Sequence, residues 1–256
     1  MPMSSQARAN IETDSRGAHA AHPDYRIRPG SNRHETLARI IDQGVIPVIA
    51  GASPEEAVLV LKAICKVGVR VAEITMSGPH GLTVLERVAC ELGGEVTLGA
   101  GAVLGAEAAR TCIKAGAEYI ASPVLDRRTI DAVKGLSKVM ISGALTPTEV
   151  ATAWESYSDA VRIFPCATVG GPEYVAALKQ TFPEIDMLPA GSLNLETTSK
   201  FLRAGASAVA VGRAFIDAKT IAEGHYAVFE ERARRYLAAA AKARPSCLKA
   251  ERGPAK

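Results

Sequence analysis

Asp159-Ala160-Val161-Arg162-Ile163-Phe164-Pro165-Cys166 is an apolar run interrupted by one arginine, and Ala167-Thr168-Val169-Gly170-Gly171 leads from it into a helical pattern. A short apolar run passing through glycines into an amphipathic helix reads as one βα unit of a parallel sheet covered by helices. Arg162 is the anomaly in that run. A guanidinium inside a strand must pair with a carboxylate, or an anion must be brought to it.

Outward from this unit the pattern repeats. Lys66-Val-Gly-Val69, Lys114-Ala-Gly-Ala117 and Arg203-Ala-Gly-Ala206 each close a helical pattern with glycine and lead into an apolar strand, as a left-handed C-cap does. The three glycines stand about 48 and about 89 residues apart, near two and four multiples of about 23, the length of one short βα unit. That spacing predicts eight units. The expected strands are Val45–Ala50, Arg70–Met76, Thr97–Val103, Tyr119–Val124, Lys138–Leu145, Ala160–Cys166, Asp186–Gly191 and Ala208–Ala214. Helical patterns begin near Ser53, Gly78, Gly105, Asp126, Thr146, Gly171, Asn194 and Phe215. Ser53-Pro54 with Glu56, and Thr146-Pro147 with Glu149, spell capping boxes with proline at the first helical position. Eight alternating units predict a single α/β domain, a (β/α)8 TIM barrel, over residues 33–243.

From Asn32, read as an N-cap, a short helix carries Leu37, Ile40 and Ile41 on one face and is expected to close the bottom of the barrel. Residues 1–32 lack apolar periodicity and read as a disordered tail, as do 244–256 after Ala243-Arg-Pro245. The Arg and Ser content of the first segment suits a transit peptide, whereas Glu12, Asp14 and Asp24 count against one. A last helix is expected over about Thr220 to Ala243. Its Ala-rich Tyr236–Lys242 stretch either packs on a neighbouring subunit or is simply a good helix former.

Composition narrows the function classes. Of the 256 residues 48% are hydrophobic, enough for a full core, and no polar linker divides the chain. The formal charge of +3 is scattered, which argues against a nucleic-acid partner and leaves small anions open. No run reaches a membrane span and no secretory signal core is present, so no membrane association is expected. The five cysteines, Cys65, Cys90, Cys112, Cys166 and Cys247, lack Cys-x-x-Cys spacing and read as reduced thiols of a cytoplasmic protein.

Strands of such a barrel present reactive groups at their C-terminal ends. Glu73, in Val71-Ala-Glu-Ile-Thr-Met76, is a carboxylate in a strand: a general base whose pKa desolvation raises, or half of a structural salt bridge with Arg162. Gly191-Ser192 and Gly212-Arg213 follow the last two strands, where backbone N–H groups suit phosphate; glycines in tight turns give the same spelling. Arg213 either strengthens that anion site or projects outward. Cys166 reads as a mouth nucleophile or as a small packed hydrophobe, and His80 as a proton exchanger or an early-helix surface residue. No cluster has metal-ligand spacing, and neither a metal nor another cofactor is expected.

Gly99-Ala-Gly-Ala-Val-Leu104, Ala121-Ser-Pro-Val-Leu125, Gly143-Ala-Leu-Thr-Pro-Thr-Glu149, Phe164-Pro165 with Gly170-Gly171, and Pro189-Ala-Gly-Ser192 occur in an order and spacing over about residues 34–225 that resembles the 2-keto-3-deoxy-6-phosphogluconate / 4-hydroxy-2-oxoglutarate aldolases. The resemblance implies a homotrimeric lyase acting on a small anionic 2-oxo acid, phosphorylated or not, with pyruvate as product. It implies Glu73 as proton carrier, and Pro123, Phe164, Gly191, Ser192, Gly212 and Arg213 around the substrate and its phosphate. Arg162 stands where that family has its Schiff-base lysine. Ser77 replaces the arginine that holds the substrate carboxylate, and Ala102 and Ala190 replace threonines.

An arginine cannot lose its proton to attack a carbonyl, so the departure at 162 is chemical as well as steric. Lys138 opens its strand at the wrong end, and Lys62, Lys66, Lys114, Lys134, Lys179, Lys200 and Lys219 fall on helices or their ends. Three functions therefore compete: a divergent lyase using Glu73 and Arg162, a proton-transfer, decarboxylase or isomerase barrel without a Schiff base, and a non-catalytic relative binding a sugar-acid phosphate.

Overall fold

Strands and helices alternate along the chain, as the repeated glycine stops require, in the computed structural model, which describes residues 30–243. They are α1 (Asn32–Gln43), β1 (Val45–Ile49), α2 (Pro54–Lys66), β2 (Val71–Thr75), α3 (Gly81–Leu92), β3 (Thr97–Gly101), α4 (Ala106–Lys114), β4 (Tyr119–Ala121) and α5 (Arg127–Gly135). There follow β5 (Val139–Ala144), α6 (Pro147–Glu155), β6 (Ala160–Ile163), a 3-10 turn (Cys166–Val169), α7 (Gly171–Thr181), α8 (Leu195–Arg203), β7 (Val209–Val211), α9 (Ala218–Ala222) and α10 (Tyr226–Ala243).

Local chemistry sets the boundaries. Ser53 and Thr146 accept from the backbone N–H groups of Glu56 and Glu149, whose carboxylates bind back, so both expected capping boxes form. Gly68, Gly116 and Gly205 have φ of 102°, 108° and 100°, conformations that a Cβ disfavours, and each turns the chain from helix into strand. Other boundaries differ from expectation. Ser31, not Asn32, caps α1. The expected long last helix is two, because Gly224 at φ 68° ends α9 before α10 begins. No helix starts at Phe215; its N–H and that of Ile216 close a turn onto the Gly212 carbonyl. The tails expected over 1–32 and 244–256 lie, apart from residues 30–32, outside the described residues.

The seven strands form one parallel sheet in the order β6-β5-β4-β3-β2-β1-β7, curled into a TIM-like fold. The stretch expected as a further strand, Asp186–Gly191, is not a regular strand. Its residues nonetheless bond both neighbours: Leu188 N to Val161 O at 2.8 Å and Ala190 N to Ile163 O at 3.0 Å on one side, Ser207 N to Met187 O at 2.9 Å and Ala210 N to Pro189 O at 3.0 Å on the other. Pro189 has no N–H to donate, which interrupts the ladder.

Two apolar layers result. The outer one packs the helices on the sheet, with Ile49, Leu61, Leu85 and Phe201 among its members. The inner one lies inside the curl and joins Ile46, Val71, Tyr119, Ile141 and Leu188 to Leu37, Ile40 and Ile41 of α1. Each fully buried Ile or Leu contributes on the order of 1.5–3 kcal/mol relative to exposure. α1 thus seals the N-terminal end of the sheet, as its apolar face predicts. Gln43 Nε2 donates to the carbonyls of Val45 and Val71 at 2.7 Å each, and its Oε1 accepts from Val71 N at 2.8 Å. At the other end of α1, Asp159 Oδ1 receives Lys134 Nζ at 2.7 Å and Arg33 Nη2 at 2.8 Å, while Oδ2 receives Met140 N at 2.8 Å.

Candidate active site

Alternation along β2 puts Glu73 inside the curl, and alternation along β6 does the same for Arg162, across the interior from it. The two meet in a bidentate pair: Arg162 Nη1 donates to Glu73 Oε1 at 2.8 Å and Nη2 to Oε2 at 2.7 Å. Glu73 is 1% exposed and Arg162 5%. Burial works against the guanidinium's charge, but the Glu73 charge and hydrogen bonds outweigh it and raise the Arg162 pKa above its ordinary value. Arg162 is therefore a permanent cation and cannot serve as a nucleophile.

Two glycines and a tyrosine seat this pair. Glu73 aligns with Gly99 and Gly99 with Tyr119 across β2, β3 and β4, and a Cβ on Gly99 would collide with the Tyr119 ring. A Cβ on Gly101 would likewise collide with the Glu73 carboxylate. Tyr119 Oη donates to Ala72 O at 3.2 Å. Burial first, and then the Glu73 charge, push the phenol well above its usual range with Arg162 opposing, so it stays neutral. The sequence alone does not single out Tyr119, because a tyrosine opening a strand looks like ordinary core. The usable signal is Gly-x-Gly in β3 between a strand bearing Glu73 and one bearing Tyr119, bulk flanking absence of bulk.

The other expected site residues divide. Phe164, 39% exposed, lies two residues beyond Arg162, and its ring would be 3.3 Å from a Cβ placed on Gly191. Gly191 and Ser192 have φ of 95° and 57°, and together they turn the chain toward Asn194, which caps α8 through Thr197 N. The Pro123 backbone crosses over Gly143, the register partner of Arg162, at a distance that no Cβ at 143 would allow. Gly212 and exposed Arg213 come directly after β7 and lead into a turn, not into a helix N-terminus. Ser77 bonds Thr75 Oγ1 in an exposed loop, and His80 is exposed at the start of α3 without a side-chain cap. Cys166 belongs to the outer layer, fully buried, where desolvation pushes its thiol up to about 12. Of its two readings the packed hydrophobe matches this placement, and the cationic activation that a nucleophile needs is missing.

No lysine among the described residues joins the pair. Lys134 is buried on Asp159 at the opposite end, where desolvation lowers its pKa against the attraction of Asp159, and Lys179 Nζ bonds the carbonyls of Pro183 and Ile185. Among the described residues no group of three or more His, Cys, Asp and Glu side chains could hold a metal ion. No helix among them is long and apolar enough to cross a membrane. A cavity of about 270 Å³ lies elsewhere, against Asn194, Glu196, Arg232, Arg235 and Tyr236. Its Glu196 is exposed and paired with Lys200 at 2.9 Å and its Arg232 is committed to Asp217 at 2.6 Å, so the buried interior pair is the better candidate.

A curled parallel α/β sheet with a buried charged pair inside it and α1 sealing its N-terminal end defines the class of TIM-like folds. Within that class the KDPG and KHG aldolase family model matches residues 37–231, and the chain belongs to this family of lyases. The 2-dehydro-3-deoxy-6-phosphogalactonate aldolase of Escherichia coli K12 is 27% identical over 169 residues, 66% of this chain and 82% of that one. The 2-dehydro-3-deoxy-phosphogluconate aldolase of Treponema pallidum is 28% identical over 192 residues, 75% of this chain and 90% of that one. Among solved structures, KDPG aldolase from Legionella pneumophila, with pyruvate captured as a covalent carbinolamine intermediate, superposes with a TM-score of 0.73 at 23% identity, covering 78% of this chain and 96% of that one.

Proposed function

We propose that this chain is a carbon–carbon lyase that releases pyruvate from a small 4-hydroxy-2-oxo acid, phosphorylated or not, without forming an imine at position 162. The observation carrying this reading is the buried bidentate contact between Glu73 and a guanidinium held charged. Cleavage removes the proton of the 4-hydroxyl and breaks the C3–C4 bond, and its electron pair enters the enolate. C3 then takes up a proton to give pyruvate. Glu73 carries the proton out and back, and Arg162 holds the enolate charge electrostatically. Pro123 and Phe164 border the substrate, and Gly191, Ser192, Gly212 and Arg213 take its distal anion, with Ser77 and His80 at the edge.

In this reading residues 33–243 form one barrel domain, with Asp186–Gly191 as the eighth stave of a closed (β/α)8 ring. The protein is a cytoplasmic homotrimer whose partner is a small anionic metabolite rather than nucleic acid or membrane. A second reading takes the same contact the other way. Both carboxylate oxygens and both terminal nitrogens are already engaged, which favours a non-catalytic relative that binds a sugar-acid phosphate above a structural pair. A decarboxylase or isomerase would use the same pair on another substrate.

The test is pyruvate release from phosphorylated and unphosphorylated 4-hydroxy-2-oxo acids, with borohydride in a parallel sample read by intact mass. Release without an adduct supports the proposal. Release with a trapped adduct means that a lysine does reach the mouth, and no release with ligand-induced thermal stabilisation supports the binding role.

A further inference from the structure

A guanidinium offers two planar forks, Nη1 with Nη2 at its end and Nε with one Nη along its side. Glu73 occupies the end fork of Arg162. The side chain is 7% exposed, yet its Nε has no hydrogen-bond partner among the described residues. Buried donors are paired with few exceptions, and an orphan on a charged group is costlier than one on a neutral amide. The missing partner is an acceptor, and a carboxylate matches a guanidinium fork in spacing and plane.

From this orphaned donor we propose that the side fork of Arg162 is a binding site for the carboxylate of a small 2-oxo acid, filled while the end fork stays on Glu73. The substrate class rests on the lyase reading; the anion chemistry does not. Small side chains border this part of the interior. Ala190, whose N–H bonds the Ile163 carbonyl at 3.0 Å, and Ala210 of β7, whose N–H bonds the Pro189 carbonyl at 3.0 Å, belong to the inner layer on this side. A three- or four-carbon acid suits such a boundary better than a bulky one. The two forks share one Nη, so ligand and Glu73 bind as neighbours around the same cation rather than across it from each other. The arrangement also sets the reactive carbons close to Glu73, which is what proton transfer to C3 requires.

The experiment is isothermal titration of the full chain with pyruvate and with oxamate, a carboxylate-bearing isostere whose amide carbonyl does not condense with amines. Methyl pyruvate serves as the ester control. Both anions should bind, with the ester roughly 10- to 100-fold weaker, the loss of one charge-assisted fork. Arg162→Lys keeps a cation for Glu73 but has no side fork, and should weaken oxamate by about the same factor. Should that variant not fold, a crystal structure of the unmodified protein with oxamate decides, by whether a carboxylate oxygen lies within hydrogen-bond distance of Arg162 Nε. Equal affinity for acid and ester, undiminished oxamate binding in Arg162→Lys, or a carboxylate bound elsewhere would overturn the proposal. Oxamate on Nε with no pyruvate release would sink the lyase reading alone. Pyruvate release without oxamate binding would sink the fork alone.

Discussion

At position 162 a lysine and an arginine differ less in charge than in what the charge can do. The buried guanidinium, held above its ordinary pKa by Glu73, is locked into a fork that an ammonium could not fill. Removing one partner therefore strands the other. Arg162→Leu should lower stability at neutral pH by about 3–5 kcal/mol, read from urea unfolding, and Glu73→Leu with Arg162→Leu should recover most of it. A double variant as unstable as the single one would mean that packing, not the stranded carboxylate, sets the cost. The glycine beneath tests the seat from the other side. Gly101→Ala drives a methyl into the Glu73 carboxylate and should cost about 1–3 kcal/mol, whereas in a Glu73→Ala background the same change should cost far less. Equal costs in both backgrounds would show that Gly101 answers to the backbone and not to the ion pair.

Helices and strands were legible where a single residue decides a boundary, and illegible where a neighbour decides it. Ser53-Pro-Glu-Glu56 and Gly68 state their own structure, because a cap and a left-handed turn depend on local chemistry alone. Pro189 hides a hydrogen-bonded link inside an apolar run, and Gly224 splits a helix that its flanking alanines would continue. At the site, Glu73 and Arg162 stood out as charges in strands. Tyr119 and the seats at Gly99 and Gly101 needed the cross-strand alignment, and the face taken by Cys166 needed the chain's turn after β6. The junction after Gly212 shows the same dependence. Asp217 caps α9 through Thr220 N at 2.9 Å and holds Arg232 of α10 at 2.6 Å. Burial raises its pKa, but the Arg232 and Thr220 hydrogen bonds outweigh that and lower it to about 2. Its contribution is thus present above the ordinary carboxylate range and is lost as pH falls from about 4 towards the folded value. Asp217→Ala should lower stability by about 1–2 kcal/mol at pH 7, and it should flatten the decline of the urea midpoint with acid in that window. An unchanged slope would assign the acid sensitivity to other carboxylates.

On the scale of the molecule, one sheet serves two apolar layers, so neither survives without the other. Inside, α1 and the ion pair fill the curl; outside, helices α2 to α8 and α10 cover it. Tyr236 of α10 stacks on Phe215 with ring centroids 4.5 Å apart, and Ala240 and Ala243 are buried beside it, so the alanine-rich stretch is engaged within its own chain. The cysteines report on the outer layer. Cys65, Cys112 and Cys166 are buried and their thiols are raised by desolvation, Cys166 to about 12, while Cys90 on α3 is exposed. Thiolates are the reacting species, so burial and pKa act in the same direction. In a Cys247→Ser background at pH 8, a thiol-disulfide reagent should label Cys90 in the native protein, and the other three only as helical circular dichroism is lost in urea. Labelling and circular dichroism should share one midpoint, because opening the outer layer breaks the sheet that closes the inner one. Cys166 labelled natively as fast as Cys90 would put its sulfur back at the mouth and restore a nucleophile to the site. Buried thiols labelled well before the dichroism changes would mean that the helical layer opens while the interior ion pair and α1 still hold the sheet closed.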